Sequence, residues 1–449
     1  MRKFLALILT PLALLAGCGG SGTSHSGPPP PPPPPPTQVI TPPGPPNAEK
    51  IVVDEGPTAL TVPAVNTAFI SVKVCMPDGT FSSCQTIDHI EVDTGSIGLR
   101  IITGLPQPLN PSAGQLTLAL PPVPDPNNVS NMLAECYQFA DGFSWGSVNK
   151  ADIYLPVSGE SATNVYIHVI GASSAGNPAN PTPTNCVPKP PLVTENTVPS
   201  FGANGILGVG PFINDCNSVG DCSGNGSAVY YGCTATATPS CAKTTVHLAD
   251  QLPNPATLFA TDKNGVIVEL PAVGDSGKVE PVQGTLVFGI GTRSNNGLGG
   301  ARKLLMCDGS NTAAICMLNG QLLAGTVSAS LNGTTYQVSY LDSGSNANFF
   351  PTSITKCLAP NDGFLCPSST TSENATLTGT DGLMVAADFD VANANSLFSP
   401  TPCTPNCLVA FSNLAGPGDS SPDSLDLGLS FFFGRNVFTG IEPGPYFAY

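Results

Sequence analysis

Two short polar motifs, far apart in the chain, contain the residues best suited to carry chemistry. They share the order Asp, hydroxyl residue, Gly, Ser, and they read Asp93-Thr94-Gly95-Ser96 and, 249 positions later, Asp342-Ser343-Gly344-Ser345. One copy alone is an ordinary turn sequence after a strand. Two copies, each leaving one apolar run and entering another, indicate a repeated β unit that supplies the same carboxyl group twice. Paired carboxyl groups are a recurrent means of general acid–base chemistry.

Length and composition restrict the class of protein that positions these motifs. With 449 residues the chain exceeds one ordinary core, which favours two domains or lobes. Only 10% of the residues are charged, and the net charge of −16 argues against a nucleic-acid partner and against electrostatic docking on anionic lipid. The 48 Gly and 48 Pro residues separate short apolar runs, without a long helical period. We therefore predict an all-β protein with many strands and turns.

The first 18 residues have the pattern of an export signal. A basic start precedes an apolar run that is too short to span a bilayer and ends in Leu15-Ala16-Gly17-Cys18. Small residues before Cys18 resemble the lipobox of bacterial lipoproteins, in which the cysteine is acylated and becomes the new N-terminus. This resemblance implies a lipid anchor in the bacterial cell envelope, and Gly19 in place of Asp implies the outer membrane, on either face. An ordinary secretory signal is the alternative.

Residues 19–47 are predicted to be a tether, with the folded part beginning at Ala48. The unbroken proline run at residues 28–36 favours an extended left-handed helix, which would hold the folded part away from the membrane. We predict an N-terminal β lobe over residues 48–300 and a C-terminal β lobe over residues 301–449.

A β-hairpin is predicted at residues 137–157. Asp141-Gly142 lies between two β-prone runs, which is a strong hairpin signal, and residues 150–157 alternate as the return strand. The only tryptophan of the chain, Trp145, lies on this hairpin. Further strands are predicted at residues 67–74, 284–291 and 335–341.

Fifteen cysteines in an exported chain predict a set of disulfides. Without Cys18 the number is even, and proximity along the chain suggests six pairs, with a seventh formed by the remainder: 75–84, 216–222, 233–241, 307–316, 357–366, 403–407 and lastly 136–186. Spacing alone leaves this connectivity open. A metal site is the alternative. It is disfavoured because paired Cys-x-x-Cys motifs are absent from the sequence and the four histidines, at positions 25, 89, 168 and 247, are scattered.

From about Ala48 onward, the order of the motifs resembles that of the pepsin-like aspartic proteases. In that family two β lobes each supply one Asp from an Asp-Thr/Ser-Gly loop, and an apolar-apolar-Gly segment threads behind each loop. Ile206-Leu207-Gly208 and Leu427-Gly428 resemble these segments, and residues 139–143 stand at the position of the family's flap. The resemblance implies a monomeric, bilobal all-β endopeptidase that acts on extended peptide or protein substrates, without a cofactor or a metal.

The resemblance also implies roles for individual residues. Asp93 and Asp342 are the implied catalytic pair. One carboxyl keeps its proton because like charges about 3 Å apart cannot both ionise. The ionised group takes a proton from a shared water, and the protonated group donates to the peptide carbonyl. The implied supporting residues are Thr94 and Ser343, which tie the loops together, Gly95 and Gly344, which allow close approach, and Ser96 and Ser345, which bond the outer carboxylate oxygens. The implied flap and substrate residues are Tyr137, Phe139, Asp141, Gly142 and Trp145.

Three residues depart from the family's pattern. Phe139 stands where the flap usually has Tyr, although the Tyr137 hydroxyl could substitute for it. Arg100 stands where the first loop often has Trp, and Asp426 stands where an apolar residue is usual. The flap around Trp145 and the C-terminal Phe-Phe-Phe-Gly-Arg segment resemble more closely a family of uncharacterised proteobacterial lipoproteins, from which no function follows.

Two other functions are compatible with parts of the sequence. Gly274-Asp275-Ser276-Gly277 is similar to the nucleophile loop of chymotrypsin-class serine proteases, but Lys278 replaces the next Gly and no Ala-Ala-His-Cys segment accompanies it. A turn is therefore favoured there. The stronger alternative is a catalytically inactive homologue that acts as an envelope binding or structural module. Raised and split pKa values at Asp93 and Asp342 would favour the enzyme.

Overall fold

The computed structural model describes residues 38–104, 114–171, 182–186, 193–216, 222, 228–236, 240–279, 281–399, 408–418 and 423–449. The predictions that concern Cys18, residues 19–37 of the tether and the Cys403–Cys407 pair lie outside these residues. Residues 38–47 already contact the folded part, because the Gln38 side-chain amide donates to the carbonyl oxygens of Leu270 and Arg435 at 2.8 and 2.9 Å.

The described part of the chain is predominantly β, which confirms the predicted class. Its strands are β1 (Ala48–Val53), β2 (Ala68–Cys75), β3 (Cys84–Asp93), β4 (Ile97–Ile102), β5 (Pro124–Asp125), β6 (Asn128–Gln138), β7 (Gly142–Tyr154), β8 (Ser161–Ile170), β9 (Val193–Thr194), β10 (Gly205–Val209), β11 (Ala228–Thr234), β12 (Cys241–Lys243), β13 (Gly265–Leu270), β14 (Val282–Phe288), β15 (Lys303–Leu305), β16 (Met317–Leu318), β17 (Gln321–Leu322), β18 (Val327–Leu331), β19 (Thr334–Leu341), β20 (Asn348–Phe350), β21 (Thr371–Glu373), β22 (Ala375–Thr378), β23 (Met384–Ala386), β24 (Phe389–Val391), β25 (Ala415–Pro417), β26 (Ser424–Leu427), β27 (Arg435–Gly440) and β28 (Tyr446–Ala448).

Helices are few and short. They are α1 (Val198–Phe201), α2 (Ala394–Leu397) and α3 (Leu429–Phe432), with 3₁₀ turns at Leu248–Asp250, Pro255–Leu258 and Ala314–Cys316. Among the described residues, none of these helices has the length and apolar character needed to cross a membrane.

Strands from both ends of the chain share the largest sheet, which has 17 strands. β1 pairs with β14, β14 with β13, and β13 with β27, all antiparallel. β15 then pairs with β28, which pairs with β27. The boundary expected at residue 300 therefore separates strands that share one sheet. A second sheet of seven strands contains β18, β19, β20, β22, β23, β25 and β26.

Both aspartate motifs have the same local strand arrangement. β3 ends at Asp93, and β10 lies parallel to β3 and antiparallel to β4, the strand that leaves the motif. β19 ends one residue before Asp342, and β26 lies parallel to β19 and antiparallel to β20. The strands that lead into the motifs are apolar on their buried face, with Val92 and Leu341 fully buried. Each loop is thus held from behind by a later strand of the chain.

The predicted hairpin is formed by β6 and β7. Cys136 pairs with Trp145 and Gln138 with Phe143, and the backbone N–H of Phe139 donates to the Gly142 carbonyl across the turn at 2.8 Å. The return strand is a single element from Gly142 to Tyr154, so it begins before residue 150 and ends before residue 157. Its long pairing with β8 fixes the hairpin on the sheet.

Six predicted disulfides are confirmed. They join Cys75–Cys84, Cys136–Cys186, Cys216–Cys222, Cys233–Cys241, Cys307–Cys316 and Cys357–Cys366. Cys75 faces Cys84 across antiparallel strands, and Cys233 faces Cys241 in the same way. Proximity along the chain therefore identified five of these pairs, and Cys136–Cys186, whose cysteines are 50 residues apart, was predicted as the remainder.

A buried ionic cluster joins four strands of the larger sheet. Arg100 on β4 donates to Glu135 on β6 through Nη2 and Nε, at 2.8 and 3.2 Å. Asp215 Oδ2 lies 3.3 Å from Arg100 Nη2, and His168 Nδ1 on β8 lies 2.8 Å from Glu135 Oε2. The Tyr230 hydroxyl on β11 donates to Asp215 Oδ2 at 2.8 Å. All five residues are buried.

This cluster also fixes the base of the hairpin. The Arg100 guanidinium lies 3.5 Å from the centre of the Tyr137 ring, a cation–π contact. Burial alone would raise the pKa of Glu135, but Arg100 and then His168 hold that pKa well below its usual range. Glu135 is therefore an ionised partner of Arg100, and the pair anchors β6 against β4.

We predict that Arg100→Met lowers the free energy of unfolding by about 3–5 kcal/mol, because it leaves the ionised Glu135 carboxylate buried without the guanidinium group that pairs with it. Urea unfolding with the disulfides oxidised measures the change. Lys150→Met, which removes a partly exposed cation of β7, should change the same quantity by about 0.5 kcal/mol or less. Equal effects of the two substitutions would show that the cluster does not constrain the fold.

Candidate active site

Reciprocal hydrogen bonds tie the two aspartate loops together. The Thr94 backbone N–H donates to Ser343 Oγ at 3.1 Å, and the Ser343 backbone N–H donates to Thr94 Oγ1 at 3.0 Å. Each hydroxyl in turn donates to the strand before the other motif, Thr94 Oγ1 to the Leu341 carbonyl at 3.1 Å and Ser343 Oγ to the Val92 carbonyl at 2.7 Å. Thr94 and Ser343 therefore have the linking position that the sequence implied.

The same contact brings the two carboxyl groups face to face. A Cβ atom placed on Gly95 would lie 2.6 Å from the Asp342 carboxyl, and one on Gly344 would lie 2.7 Å from Asp93 Cγ. Only glycine leaves room for this approach. The Gly95 backbone N–H donates to Asp93 Oδ1 at 2.6 Å, and the Gly344 N–H donates to Asp342 Oδ1 at 2.8 Å. Each carboxyl is thus oriented by its own loop.

The pKa of Asp342 is displaced upward. Burial raises the pKa of Asp342 well above its ordinary value, and the charges of Asp93 and Asp426 raise it further. A hydrogen bond shared with Asp93 acts in the same direction, while the Gly344 N–H opposes it. Asp342 therefore keeps its proton at a pH where an exposed aspartate has lost it. A carboxyl group that keeps its proton, next to a second oriented carboxyl group, suits the pairing of a general acid with a general base.

Ser345 links Asp342 to a third carboxyl group. Ser345 Oγ lies 3.2 Å from Asp342 Oδ2 and 2.6 Å from Asp426 Oδ2. A hydroxyl has one proton, so it can donate to only one of these carboxyls at a time. The other carboxyl bonds to Ser345 only when it is itself protonated. Burial raises the pKa of Asp426 to about 8; the hydrogen bond from Ser345 opposes this shift, and the charge of Asp93 adds to it.

Ser96 differs from Ser345, although the two occupy matching positions in the motifs. Ser96 Oγ is buried and has no hydrogen-bond partner among the described residues. The expectation that Ser96 bonds an outer carboxylate oxygen is therefore not met. Beside Ser345 the threading strand supplies Asp426, whereas Ile206 stands at the corresponding place in the other threading strand. An apolar side chain there offers Ser96 no acceptor.

The carboxyl pair lies in a cleft of about 1250 Å³. Of the predicted site residues, the cleft is lined by Asp93, Asp342, Gly344, Ser345, Phe139 and Asp141. Phe139 and Asp141 come from the tip of the hairpin, so the turn between β6 and β7 forms part of the cleft wall. The rings of Phe139 and Phe201 meet edge to face at 5.6 Å on this side. A cleft of this size accommodates a peptide segment or a ligand of similar size.

Three predicted hairpin residues do not line the cleft. Tyr137 is buried with the Arg100 guanidinium over its ring; burial raises the pKa of its hydroxyl, and the nearby charge of Asp93 adds to this shift. Trp145 is buried behind the hairpin, where its ring packs edge-on against Tyr231 at 5.3 Å. Gly142 is buried beside Glu195. Arg100, noted in the sequence only as a departure, explains the position of Tyr137.

The structure adds two carboxyl groups that the sequence did not reveal. Glu91 and Glu195 both line the cleft. Burial raises the pKa of Glu91 well above its ordinary value, with further contributions from Asp93, Asp141 and Glu195. Burial also raises the pKa of Glu195 to about 8, and Asp141 adds to this shift. Glu91 could have been found, because residues two apart on a strand share a face and Glu91 precedes Asp93 by two. No local signal marks Glu195.

The serine-protease-like loop and a metal site, the two alternatives at the level of chemistry, have less support in the described part of the chain. Ser276 is exposed in a turn closed by the Gly277 N–H and the Gly274 carbonyl at 2.9 Å, as the turn interpretation predicted. Within the described ranges, no group of three or more His, Cys, Asp or Glu side chains is arranged to hold a metal ion.

Comparison with known proteins gives a family but no activity. A family model described as "Protein of unknown function (DUF3443)" matches residues 43–449, so the chain belongs to this family. The match agrees with the resemblance of the sequence to an uncharacterised family. A search of the curated proteins finds no match.

We predict that Asp426→Asn flattens the dependence of stability on pH. An unfolded Asp has a pKa of about 3.9. Between that value and the folded pKa of about 8, the folded protein holds a proton that the unfolded chain has released, so the stability contributed by Asp426 falls as the pH rises. Removing the titrating group should reduce this fall by up to about 1.4 kcal/mol per pH unit.

Urea unfolding at intervals between about pH 5 and pH 8 measures this slope for the wild type and the variant. Asp275→Asn, a substitution in an exposed turn, is the matched control and should follow the wild-type curve. If the Asp426→Asn curve also runs parallel to the wild type, Asp426 does not hold a proton in the folded protein.

Proposed function

We propose that this protein is a pepsin-like aspartic endopeptidase that hydrolyses extended peptides with a water held between Asp93 and Asp342. The observation that carries the proposal is the pair of facing carboxyl groups, held together by the reciprocal hydrogen bonds of Thr94 and Ser343. Repulsion between two buried carboxyls destabilises a fold, so their retention at contact distance favours a catalytic role.

We further propose that the fold is the bilobal one of the pepsin-like proteases. Supporting observations are the matching arrangements of β3, β4 and β10 around Asp93 and of β19, β20 and β26 before and after Asp342. In this proposal each half of the chain supplies one loop, and the strands shared by the two chain ends connect the halves. The molecule would act as a monomer, because both carboxyl groups come from one chain.

The raised pKa of Asp342 suggests how the two carboxyls divide the work. Asp93, as the carboxylate, takes a proton from the water while the water oxygen attacks the carbonyl carbon of the peptide. Asp342 donates its proton to the carbonyl oxygen, giving a neutral gem-diol. Asp93 then gives its proton to the amide nitrogen, the C–N bond breaks, and one hydroxyl of the gem-diol gives its proton to Asp342. The apparent pKa values belong to the pair rather than to either residue.

The hairpin is proposed to cover the bound peptide. Phe139 and Asp141 at its tip line the cleft, and closing the tip over a peptide would exclude water from the reaction. Phe139 contributes an apolar ring in place of a hydroxyl. Substrate recognition at this end would therefore depend on packing and charge rather than on a hydroxyl hydrogen bond.

We also propose that the protein is exported and anchored by lipid on Cys18, in the outer membrane of a bacterial cell. The basic start, the short apolar run and the small residues before Cys18 support this. The six disulfides support an oxidising compartment. Acylation by more than one chain gives stable anchoring.

A non-catalytic envelope binding or structural module is the second candidate. Two observations favour it: Phe139, in place of tyrosine, lines the cleft from the hairpin tip, and Ser96 Oγ makes no hydrogen bond within the described residues. Both observations reduce the similarity of the first loop to an active protease. Neither removes a carboxyl group of the pair.

We predict that the full chain, produced under oxidising conditions, cleaves members of a diverse peptide library between about pH 3 and pH 7 with a bell-shaped rate profile. Asp93→Asn and Asp342→Asn should each lower kcat by at least about 10²–10⁴-fold, because each removes one proton-transfer role. Asp275→Asn should retain the wild-type rate, and a statine-type inhibitor should block cleavage. Absence of cleavage at every pH by folded protein would support the binding module instead.

We predict that Cys18→Ser prevents lipid attachment. In a bacterial host supplied with a clickable fatty acid, the wild type should be labelled and should partition with the membrane fraction. The Cys18→Ser chain should be unlabelled and recovered in the aqueous fraction, because one thiol is the acceptor for the anchor. A variant at another cysteine, Cys307→Ser, should remain labelled. Equal labelling of the Cys18→Ser chain would contradict the lipoprotein proposal.

A further inference from the structure

Acidic side chains line the cleft, and the described part of its lining contains no basic side chain. Among the described residues that line it, seven are acidic and none is Lys, Arg or His; the acidic ones are Glu91, Asp93, Asp141, Glu195, Asp342, Asp362 and Asp426. The whole chain has a net charge of −16, which adds a long-range field of the same sign. A cleft with charges of one sign concentrates ligands of the opposite sign.

Three of these carboxyls converge at the hairpin end of the cleft. Glu91 lies on β3, two residues before Asp93, and therefore projects from the same face of the strand as Asp93. A Cβ placed on Gly142 would lie 2.1 Å from Glu195 Cδ, so the Glu195 carboxyl rests against the hairpin next to Asp141. Glu91 is close enough to Asp141 and Glu195 for their charges to raise its pKa.

The carboxyl group of Glu195 has no partner among the described residues. Glu195 is 8% exposed and lines the cleft, yet within the described ranges its carboxylate makes no hydrogen bond or ion pair. Buried carboxylates are normally paired with a cation or bonded to a donor. Asp426, in the same cleft, also has a buried oxygen, Oδ1, without a partner among the described residues. These unpaired oxygens indicate that a ligand bound in the cleft donates hydrogen bonds to them.

The wall beside the carboxyls is aromatic. Phe139 meets Tyr137 at 4.9 Å on one side and Phe201 at 5.6 Å on the other, and both phenylalanines line the cleft. A long cationic side chain with an apolar stem matches such a combination, because its methylene groups pack on rings while its head reaches the carboxylates. A small metal cation would leave the aromatic wall unused.

We propose that the cleft selects peptides by a lysine or arginine side chain whose cationic head binds among Glu91, Asp141 and Glu195. The proposal rests on the proposed function for the position of the peptide, and it adds the class of substrate. The bound cation offsets the repulsion among the three carboxyls. It also favours the ionised forms of Glu91 and Glu195, whose pKa values are raised by burial, so binding releases protons from these two groups.

Binding by the Asp93→Asn protein tests the proposal without requiring cleavage. Fluorescence anisotropy is measured with labelled peptides that are identical except for one position, which is scanned along the peptide and carries Lys, Arg, norleucine or citrulline. At one position we expect Lys and Arg to bind at least about tenfold more tightly than norleucine and citrulline, with the difference decreasing as salt is added. Equal affinities at every position would overturn the proposal.

Substitutions in the cleft show which carboxyl groups bind the cationic side chain of the peptide. In the Asp93→Asn background, Glu195→Gln and Glu91→Gln should each reduce the preference for Lys and Arg. Asp141→Asn at the exposed hairpin tip should do the same, and it keeps the test decisive if a buried substitution prevents folding. Asp275→Asn, outside the cleft, should leave the preference intact. A preference that survives all three cleft substitutions would contradict the assignment.

Two further outcomes separate this inference from the proposed function. If the Asp93→Asn protein prefers Lys and Arg peptides but the wild type cleaves none, the inference stands and the peptidase proposal fails. If the wild type cleaves peptides without regard to basic residues, the inference fails alone. Spermidine and Ca²⁺ are tested as competitors; if they bind and no preference for Lys or Arg peptides is found, the carboxyls take free cations and the inference fails.

Discussion

The reciprocal hydrogen bonds between Thr94 and Ser343 are the constraint on which the rest of the structure depends. They join two segments, 249 residues apart, whose carboxyl groups repel each other. Without them, the repulsion between Asp93 and Asp342 would favour separation of the loops. The threading strands β10 and β26 hold each loop from behind, and the strands shared by the two chain ends close the molecule around the contact. The fold therefore holds in contact two carboxyl groups, those of Asp93 and Asp342, that repel each other when both are ionised.

Two groups of buried carboxyls in this chain have opposite surroundings. Burial alone would raise the pKa of Glu135, Glu91 and Glu195 alike. Glu135 has Arg100 and His168 beside it, and its pKa is lowered. Burial raises the pKa values of Glu91 and Glu195, and the charges that add to these shifts are those of other carboxyl groups. The lowered pKa of Glu135 therefore depends on Arg100 and His168, whereas burial and the charge of Glu135 raise the pKa of Asp215, which Arg100 also contacts. Glu135 finds its cationic partners within the fold and stabilises it. For Glu91 and Glu195, a bound ligand would supply the cation.

The predictable features were those set by neighbours along the chain. The β class follows from strand and turn patterns, the disulfides from cysteines on either side of a turn, and the hairpin from Asp141-Gly142. The position of Tyr137 could not be predicted in the same way, because it depends on Arg100, whose partner Asp215 is 115 residues further along. Glu195 likewise reaches the hairpin only through a long-range contact with Gly142. Periodicity and spacing carry no information about such pairings.

The two motifs are alike in sequence, but their surroundings are not, and this difference bears on function. Ser345 contacts Asp426 on one side, while the matching position on the other side is Ile206. Asp426 adds to the shift that raises the pKa of Asp342, whereas Ile206, at the matching place in the other threading strand, carries no charge. A general acid and a general base must differ in proton affinity to act together. A binding module gains nothing from such inequality, since two equivalent carboxylates would hold a ligand equally well, and the asymmetry therefore favours catalysis.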